Sequence, residues 1–189
     1  MSRMMLVLQE KGGVGKTVFA RALAEAVEDA PIIEIDASHR MRELGDRVKF
    51  FKMRADRKAI ERTGGKAARA EFDAVLDAFA AAKVATIVDV GANTSVTFCE
   101  VLSEVAPELT KAGVAFGICI VVTSEPGALA EVPRLMSLTK PWAKTRFLIE
   151  NRLHGNVDPS SLKKVTDGAI VTSFEQQTLE DGADPYLQA

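Results

Sequence analysis

The sequence is poor in cysteine and contains no long apolar run. Its two cysteines, Cys99 and Cys119, have no metal-type spacing, and we expect both to be packing residues rather than ligands or disulfide partners. No stretch of about 18 apolar residues occurs, and the N-terminus leads directly into a strand-like segment, so neither a membrane span nor a signal peptide is expected. These absences predict a cytoplasmic location and no membrane partner.

The chain also carries little net charge. It has 24 Lys and Arg against 26 Asp and Glu, a net charge of −2, and 47% apolar residues, which is ordinary for a soluble globular protein. A length of 189 residues is enough to bury a core without metal or disulfides and falls within the range of one domain. We therefore expect residues 1–189 to form a single domain.

Short apolar runs alternate with helical patterns along the chain. The predicted strands are Met4–Gln9, Ile32–Ile35, Ala85–Val90, Val114–Thr123, Thr145–Glu150 and Ala169–Val171. The predicted helices are Thr17–Val27, Lys66–Lys83, Val96–Leu109 and Ala128–Leu138. Because strands that are apolar throughout are buried on both faces, this order predicts an α/β fold with a doubly wound, mostly parallel sheet and helices on both faces.

The most informative segment is QEKGGVGKT, residues 9–17, which lies between the first strand and the first helix. Its glycines let backbone N–H groups point at phosphate oxygens, and the helix that follows adds its positive N-terminal end. Lys16 could reach the β- and γ-phosphates, and the hydroxyl of Thr17 could ligate Mg²⁺. The residues expected to surround the nucleotide phosphates are Gly12, Gly13, Val14, Gly15, Lys16 and Thr17.

This segment departs from the common pattern G-x-x-x-x-G-K-[ST]. Glu10 stands where that pattern has its first glycine, and Lys11 is an additional lysine. The form K-G-G-x-G-K-[ST] resembles the deviant phosphate loop of the ParA/MinD superfamily. The segments LVLQEKGGVGKT and VDVGANTSVTFCEVL are most similar to the small ATPases of conjugative plasmids of the TraL and StbB types.

The resemblance implies a P-loop fold, ATP and Mg²⁺ as ligands, and an ATP-dependent homodimer in which Lys11 reaches the partner's nucleotide. Asp89 would hold Mg²⁺ together with Thr17, and Asn151 would read the adenine. The catalytic group implied by the family consists of Lys11, Lys16, Asp36 and Ser38. Ser38 stands where the family has a second aspartate, and a hydroxyl is a poor base at neutral pH, so we expect slow hydrolysis.

Positive charge is concentrated in residues 39–71. This segment has eleven Lys and Arg against five Asp and Glu, a net of +6, which leaves −8 for the rest of the chain. Such asymmetry suggests an acidic partner, either non-specific DNA contacted by Arg54, Arg57 and Lys58 or a plasmid-encoded DNA-binding or relaxosome protein. A solvated helix face with no partner explains the same charges, and the sequence leaves both interpretations open.

Two functions remain at this point. One is an ATPase whose slow hydrolysis resets a dimer switch in plasmid partition, stability or conjugative transfer. The other is an ATP-bound binding module that docks DNA or a plasmid protein and does not hydrolyse its ligand. A metabolic enzyme of the same fold, which would transfer phosphate to a small molecule or activate its carboxylate, ranks last, because the sequence does not identify the polar residues that its substrate pocket would need.

Overall fold

The computed structural model describes residues 2–53, 66–152 and 155–175. In this part of the chain, seven strands form one sheet in the order β3-β2-β4-β1-β5-β6-β7, and every pair of neighbours is parallel. The strands are β1 (Ser2–Leu8), β2 (Ile32–Asp36), β3 (Val48–Lys52), β4 (Thr86–Val90), β5 (Val114–Val122), β6 (Ala143–Asn151) and β7 (Ile170–Phe174).

Five described α-helices connect these strands and cover both faces of the sheet. They are α1 (Lys16–Ala26), α2 (Lys66–Ala81), α3 (Ser95–Lys111), α4 (Val132–Thr139) and α5 (Pro159–Val165), and 3₁₀ turns cover Arg42–Arg47 and Pro126–Ala128. The doubly wound α/β fold expected from the sequence is confirmed. None of the described helices combines the length and apolar character needed to cross a bilayer.

Alternation along the strands divides the core into two layers. Leu6 and Leu8 of β1 point into a large cluster with residues of α2, α3 and α4, whereas Val7 points into a smaller cluster with Ala20 and Ala24 of α1. Successive strand residues face opposite sides of a sheet, so α1 lies on one face and α2 to α4 on the other.

The sequence pattern missed two elements. The strand β3 lies at the edge of the sheet beside β2, and Lys49 and Lys52 break the apolar run that would have marked it. None of its residues is buried: three are half-buried, and Lys49 and Lys52 are exposed, as expected for an edge strand. The short helix α5, which has no buried residue, was also not predicted. The other strands agree with the predicted ones to within a few residues, the usual uncertainty at element ends.

Both cysteines are packing residues, as expected. Cys99 and Cys119 are buried and free. Burial raises the pKa of the Cys119 thiol to about 12 and raises that of Cys99 as well, so neither is a reactive thiolate near neutral pH. The Sγ atom of Cys119 lies 3.6 Å from Sδ of Met5 in the core.

Trp142 lies directly before β6, at the amino end of that strand. Its Nε1 donates to Oγ of Ser103 at 3.0 Å, and its ring meets Phe116 edge-to-face with centroids 5.4 Å apart. Because all neighbouring strands are parallel, every strand begins on the side of the sheet where Trp142 lies and ends on the opposite side. We call these two sides the amino edge and the carboxyl edge. The candidate site described next lies at the carboxyl edge.

Candidate nucleotide-binding site

The loop between β1 and α1 has the backbone of a phosphate-binding turn. Gly13 has φ 81° and Gly15 has φ 88°, left-handed values that favour glycine. Gly15 is the N-cap of α1, and Gly12 and Gly13 are exposed. The loop therefore presents backbone and the positive end of a helix to an anion arriving from solvent.

Gln9 holds the start of this loop in place. Its side chain is fully buried, and Nε2 donates to the carbonyls of Val121 at 2.9 Å and Ala128 at 2.8 Å. Its Oε1 accepts from the backbone N–H of Glu10 at 2.8 Å. One amide side chain thus joins the phosphate loop to the end of β5, a role that the sequence pattern did not reveal.

Glu10, at the position of the missing glycine, turns away from the loop. Its Oε2 accepts from the backbone N–H of Val96 at 3.0 Å, in the first turn of α3, where a carboxylate is stabilised by the unpaired N–H groups and the helix dipole. Burial raises the pKa of Glu10, and the contact with Val96 opposes that rise. Glutamate in place of glycine at position 10 therefore stabilises the start of α3 and does not disrupt the phosphate loop.

Lys16, Thr17 and Asp89 form the centre of the site. Lys16 is 6% exposed, its Nζ donates to the carbonyl of Lys11 at 3.2 Å, and burial lowers its pKa. The Thr17 hydroxyl donates to Oδ2 of Asp89 at 2.8 Å. Burial raises the pKa of Asp89 to about 6, with Glu34 and Asp36 adding to the rise and Thr17 and Lys16 opposing it. The cation that an incoming phosphate would contact is Lys16, whose charged form is disfavoured by burial.

These residues fit a nucleotide-dependent Mg²⁺ site. Among the residues that the structure describes, buried Oδ1 of Asp89 has no hydrogen-bond partner, so it could accept from a metal-bound water while the Thr17 oxygen bound the ion. Within the described ranges, no group of three His, Cys, Asp or Glu side chains could hold a metal ion alone. Mg²⁺ commonly completes its coordination with substrate phosphates and water, so we expect the ion to depend on the nucleotide.

Lys11 contacts a turn of its own chain. Its Nζ lies 2.5 Å from Oε2 of Glu125, and the two side chains are 36% and 42% exposed. The lysine stem passes over Gly127, where an added Cβ would lie 3.4 Å from Nζ. Lys11 is thus held at the mouth of the site, and its reach into a partner subunit stays a prediction.

Asp36 is the last residue of β2, and Ser38 lies in the loop that follows. The backbone N–H of Ser38 donates to Oδ1 of Asp36 at 3.2 Å, and Nε of Arg40 lies 3.4 Å from Oδ2. Ser38 is exposed. Gly91 leaves room for the Asp36 carboxyl group, because a Cβ at Gly91 would lie 2.8 Å from it. The glycine after β4 therefore has a steric role, because a side chain there would displace the Asp36 carboxyl group.

Asn151 lies behind the phosphate loop. It is 3% exposed, and its Nδ2 donates to the carbonyl of Val14 at 3.0 Å. A Cβ at Gly15 would lie 2.3 Å from the same Nδ2, so the asparagine fills the space that glycine leaves. Asn151 supports the loop in this structure, and its reading of adenine stays a prediction.

Comparisons with solved structures agree with this fold. McdA from Cyanthece, in its apo form, matches with a TM-score of 0.52 at 12% identity, over 94% of this chain and 87% of that one. A candidate plasmid partition protein from Borrelia burgdorferi B31 bound to AMPPNP matches with a TM-score of 0.53 at 12% identity, over 98% and 93% of the two chains. The chain has the α/β fold of P-loop nucleoside triphosphatases. No protein-family model and no curated protein matches it.

The fold brings together most of the residues predicted from the sequence. Lys11, Lys16, Thr17, Asp36 and Asp89 all lie at the carboxyl edge of the central strands, as expected for ligand sites in open α/β sheets. Arg54, Arg57 and Lys58, predicted to contact DNA, lie outside the described residues.

One arginine of the basic segment has a structural role. The guanidinium group of Arg47 donates to the carbonyls of Ala24 at 2.9 Å, Val27 at 3.3 Å and Ala30 at 3.2 Å, at and just beyond the end of α1. A cation there satisfies carbonyls that the helix leaves unpaired. Part of the positive charge in residues 39–71 thus stabilises the fold.

Proposed function

We propose that the chain binds ATP with Mg²⁺ and is a slowly hydrolysing ATPase of the ParA/MinD type. The observation that carries the proposal is the glycine-rich loop at the start of α1, with Lys16 buried beneath it and the Thr17 hydroxyl on Asp89. Lys16 would bind the β- and γ-phosphates, and Thr17 and Asp89 would hold the metal. The AMPPNP carried by the Borrelia protein of the same fold supports a nucleotide as the ligand.

We propose further that ATP closes a homodimer, which then positions DNA or a plasmid-encoded partner in the cytoplasm during partition, stable inheritance or conjugative transfer. Lys11 is surplus to an ordinary phosphate loop and lies partly exposed at the mouth of the site, where a second subunit could receive it. The resemblance of the deviant loop to ParA/MinD proteins supports this arrangement. It also makes the two nucleotides part of the subunit interface.

A second candidate is an ATP-bound binding module without turnover. It is favoured by Ser38, an exposed hydroxyl at the position where an acid would orient or activate water. In that case ATP would hold the dimer together as a structural ligand, and release would depend on the partner.

The first test is nucleotide affinity. Lys16→Ala removes a charge-assisted contact worth about 1.5–3 kcal/mol, so affinity for ATP with Mg²⁺ should fall roughly 10- to 150-fold in equilibrium binding. The matched control is Lys111→Ala, which removes an exposed lysine at the far end of α3 and should leave affinity unchanged. Equal affinity in Lys16→Ala and wild type contradicts the assignment of the site.

The second test separates the two candidates. Light-scattering mass is measured with ADP, with ATP and with a non-hydrolysable analogue, while phosphate release is followed in parallel. A dimer with ATP or the analogue that reverts as phosphate appears identifies the switch. A stable dimer without phosphate release identifies the binding module, and a monomer under all conditions contradicts both.

A further inference from the structure

Glu34 is a carboxyl group buried in the sheet beside the candidate site. It lies in the middle of β2 with 0% exposure. Its Oε1 accepts from the backbone N–H of Arg40 at 2.5 Å, and its Oε2 contacts Nδ1 of His39. Both of its oxygens are therefore used to hold the loop that follows Asp36.

His39 is fixed by two contacts. Nδ1 lies against Glu34, and the ring stacks on Phe50 of β3 with centroids 4.7 Å apart and an interplanar angle of 13°. With Nδ1 donating its proton to the carboxylate, Nε2 carries a lone pair and can accept a proton. The side chain is 28% exposed, so part of the ring is open to solvent.

The pair lies on the same side of the sheet as the metal-binding residues. Glu34 is the register partner of Asp89 on the adjacent strand, and its charge contributes to the raised pKa of Asp89. The loop is also fastened to α1, because the guanidinium of Arg21 donates to the carbonyl of Arg40 at 2.5 Å, one helical turn after Thr17. His39 is therefore held beside the helix that begins the nucleotide site.

We propose that the Glu34–His39 pair supplies the base that Ser38 cannot, with His39 as the proton acceptor and Glu34 as its positioning residue. This inference rests on the proposed ATPase function. A water oxygen would bond to the γ-phosphorus as the bond to the β–γ bridging oxygen breaks, and the leaving electron pair stays on ADP. The water proton passes to Nε2 of His39, and inorganic phosphate leaves as the second product.

The two contacts of Glu34 make Glu34→Gln an informative variant. An amide has one oxygen, so it can accept from the N–H of Arg40 or from Nδ1 of His39, but not from both. If its oxygen keeps Arg40, its NH₂ group donates to Nδ1 and the imidazole proton moves to Nε2, which can then no longer accept one. A nearly isosteric change thus removes the base while the loop keeps its hydrogen bond.

The experiment is single-turnover ATP hydrolysis by the full chain, with ATP affinity measured separately. In His39→Ala, the rate should fall by about 10²–10⁴ while affinity stays within about twofold, and added imidazole should restore part of the rate. Glu34→Gln should also lose rate without losing affinity. Phe50→Leu, which removes the stacking ring but leaves the pair, is the matched control and should lose less rate than either.

Several results would overturn the inference. These are a His39→Ala rate within about threefold of wild type, an affinity that falls as much as the rate, or a rate that imidazole does not raise. Imidazole should also have no effect on Lys16→Ala, which retains His39. A wild-type chain that hydrolyses ATP at a rate that His39→Ala leaves unchanged refutes this inference alone. One that binds ATP and dimerises but releases no phosphate refutes the ATPase proposal as well and leaves the binding module, and one that binds no nucleotide refutes both candidate functions.

Discussion

The carboxyl group of Asp89 is held where its charge is unfavourable. It is 2% exposed, two further carboxyl groups act on it, and one of its oxygens has no hydrogen-bond partner in the described part of the chain. Lys16 offsets this only in part, because burial disfavours its charge as well. Residues placed for a ligand often reduce the stability of the unliganded protein, and Asp89 has the features of such a residue.

Asp89→Asn should therefore stabilise the nucleotide-free protein. The folded-state pKa of Asp89 is raised from 3.8 to about 6, so the native state binds the proton more tightly and wild-type stability falls as pH rises from about 4 to about 6. Asparagine does not titrate and can still accept from Thr17. The free energy of unfolding of the variant relative to wild type should grow across that window, by at most about 3 kcal/mol, less the cost of leaving Lys16 without a counter-charge.

Urea unfolding at pH 4, 5, 6 and 8 without nucleotide measures this difference. In the same variant the dependence of ATP affinity on Mg²⁺ should weaken, since the carboxylate proposed to hold a metal-bound water is replaced by a neutral amide. A stability difference that is constant with pH would show that Asp89 is ionised as easily in the native state as in the unfolded chain.

Lys11 and Glu125 permit a second prediction at this scale. Exposed ion pairs contribute about 0–1 kcal/mol, so Glu125→Gln should hardly change stability, yet it releases Lys11 for a partner subunit. We expect ATP-dependent dimerisation to strengthen by up to about fivefold in Glu125→Gln and to be lost in Lys11→Ala, both measured by light scattering with a non-hydrolysable analogue. Normal dimerisation of Lys11→Ala would remove the cross-subunit role.

At the scale of elements, the start of α1 depends on contact between two segments far apart in the chain. Gly15 has φ 88°, and the amide of Asn151, at the end of β6, occupies the place of its missing side chain. Gly13 has a similar φ of 81° but nothing within 4 Å of its Cβ position. An alanine at Gly13 would therefore suffer backbone strain alone, whereas an alanine at Gly15 would suffer the same strain and a steric contact with Asn151.

Gly13→Ala should destabilise the nucleotide-free protein by about 1–2 kcal/mol, the cost of a left-handed alanine. Gly15→Ala should cost clearly more, because its Cβ meets Asn151. In an Asn151→Ala background, the cost of Gly15→Ala should fall to that of Gly13→Ala, as a double-mutant cycle in urea would show. The same cost for Gly15→Ala in both backgrounds would mean that Asn151 moves aside freely.

The sequence predicted some elements and contacts of this fold and missed others. The phosphate loop, the central strands and the acidic residues at their ends could be predicted because they depend on local pattern and on the parallel order of strands. The edge strand β3 could not, because lysines interrupt it. The contacts of Glu10 with Val96, Lys11 with Glu125 and Asn151 with Val14 also escaped prediction, since they join side chains to residues more than 80 positions away.

At the scale of the whole molecule, the distribution of charge bears on the partner. Residues 39–71 carry a net charge of +6, against −8 for the rest of the chain. One of these cations, Arg47, donates hydrogen bonds to carbonyls at the end of α1. If the remaining cations meet DNA phosphates, binding should be weakly dependent on base sequence, because phosphate contacts carry no base information. It should also be stronger for a dimer, which presents the segment twice.

Reversing Arg54, Arg57 and Lys58 to glutamate should weaken duplex binding and lower the slope of log K against log salt by about 0.9 for each phosphate that is no longer neutralised, with ATP affinity unchanged. The matched control reverses the exposed residues Lys83, Lys111 and Lys144, which makes the same change in net charge elsewhere. Salt titrations with a labelled duplex and ATP measure both. Equal losses of affinity in the two triple variants would leave only a general charge effect.

The position of Trp142 has an optical consequence. It is the single tryptophan of the chain and lies at the opposite edge of the sheet from the phosphate loop, about 25–30 Å from Asn151 along the extended strand β6. Its intrinsic fluorescence should therefore follow unfolding and be insensitive to a nucleotide that binds without wider rearrangement. An emission change on adding ATP would mean that occupancy of one edge of the sheet is transmitted along its full length to the other.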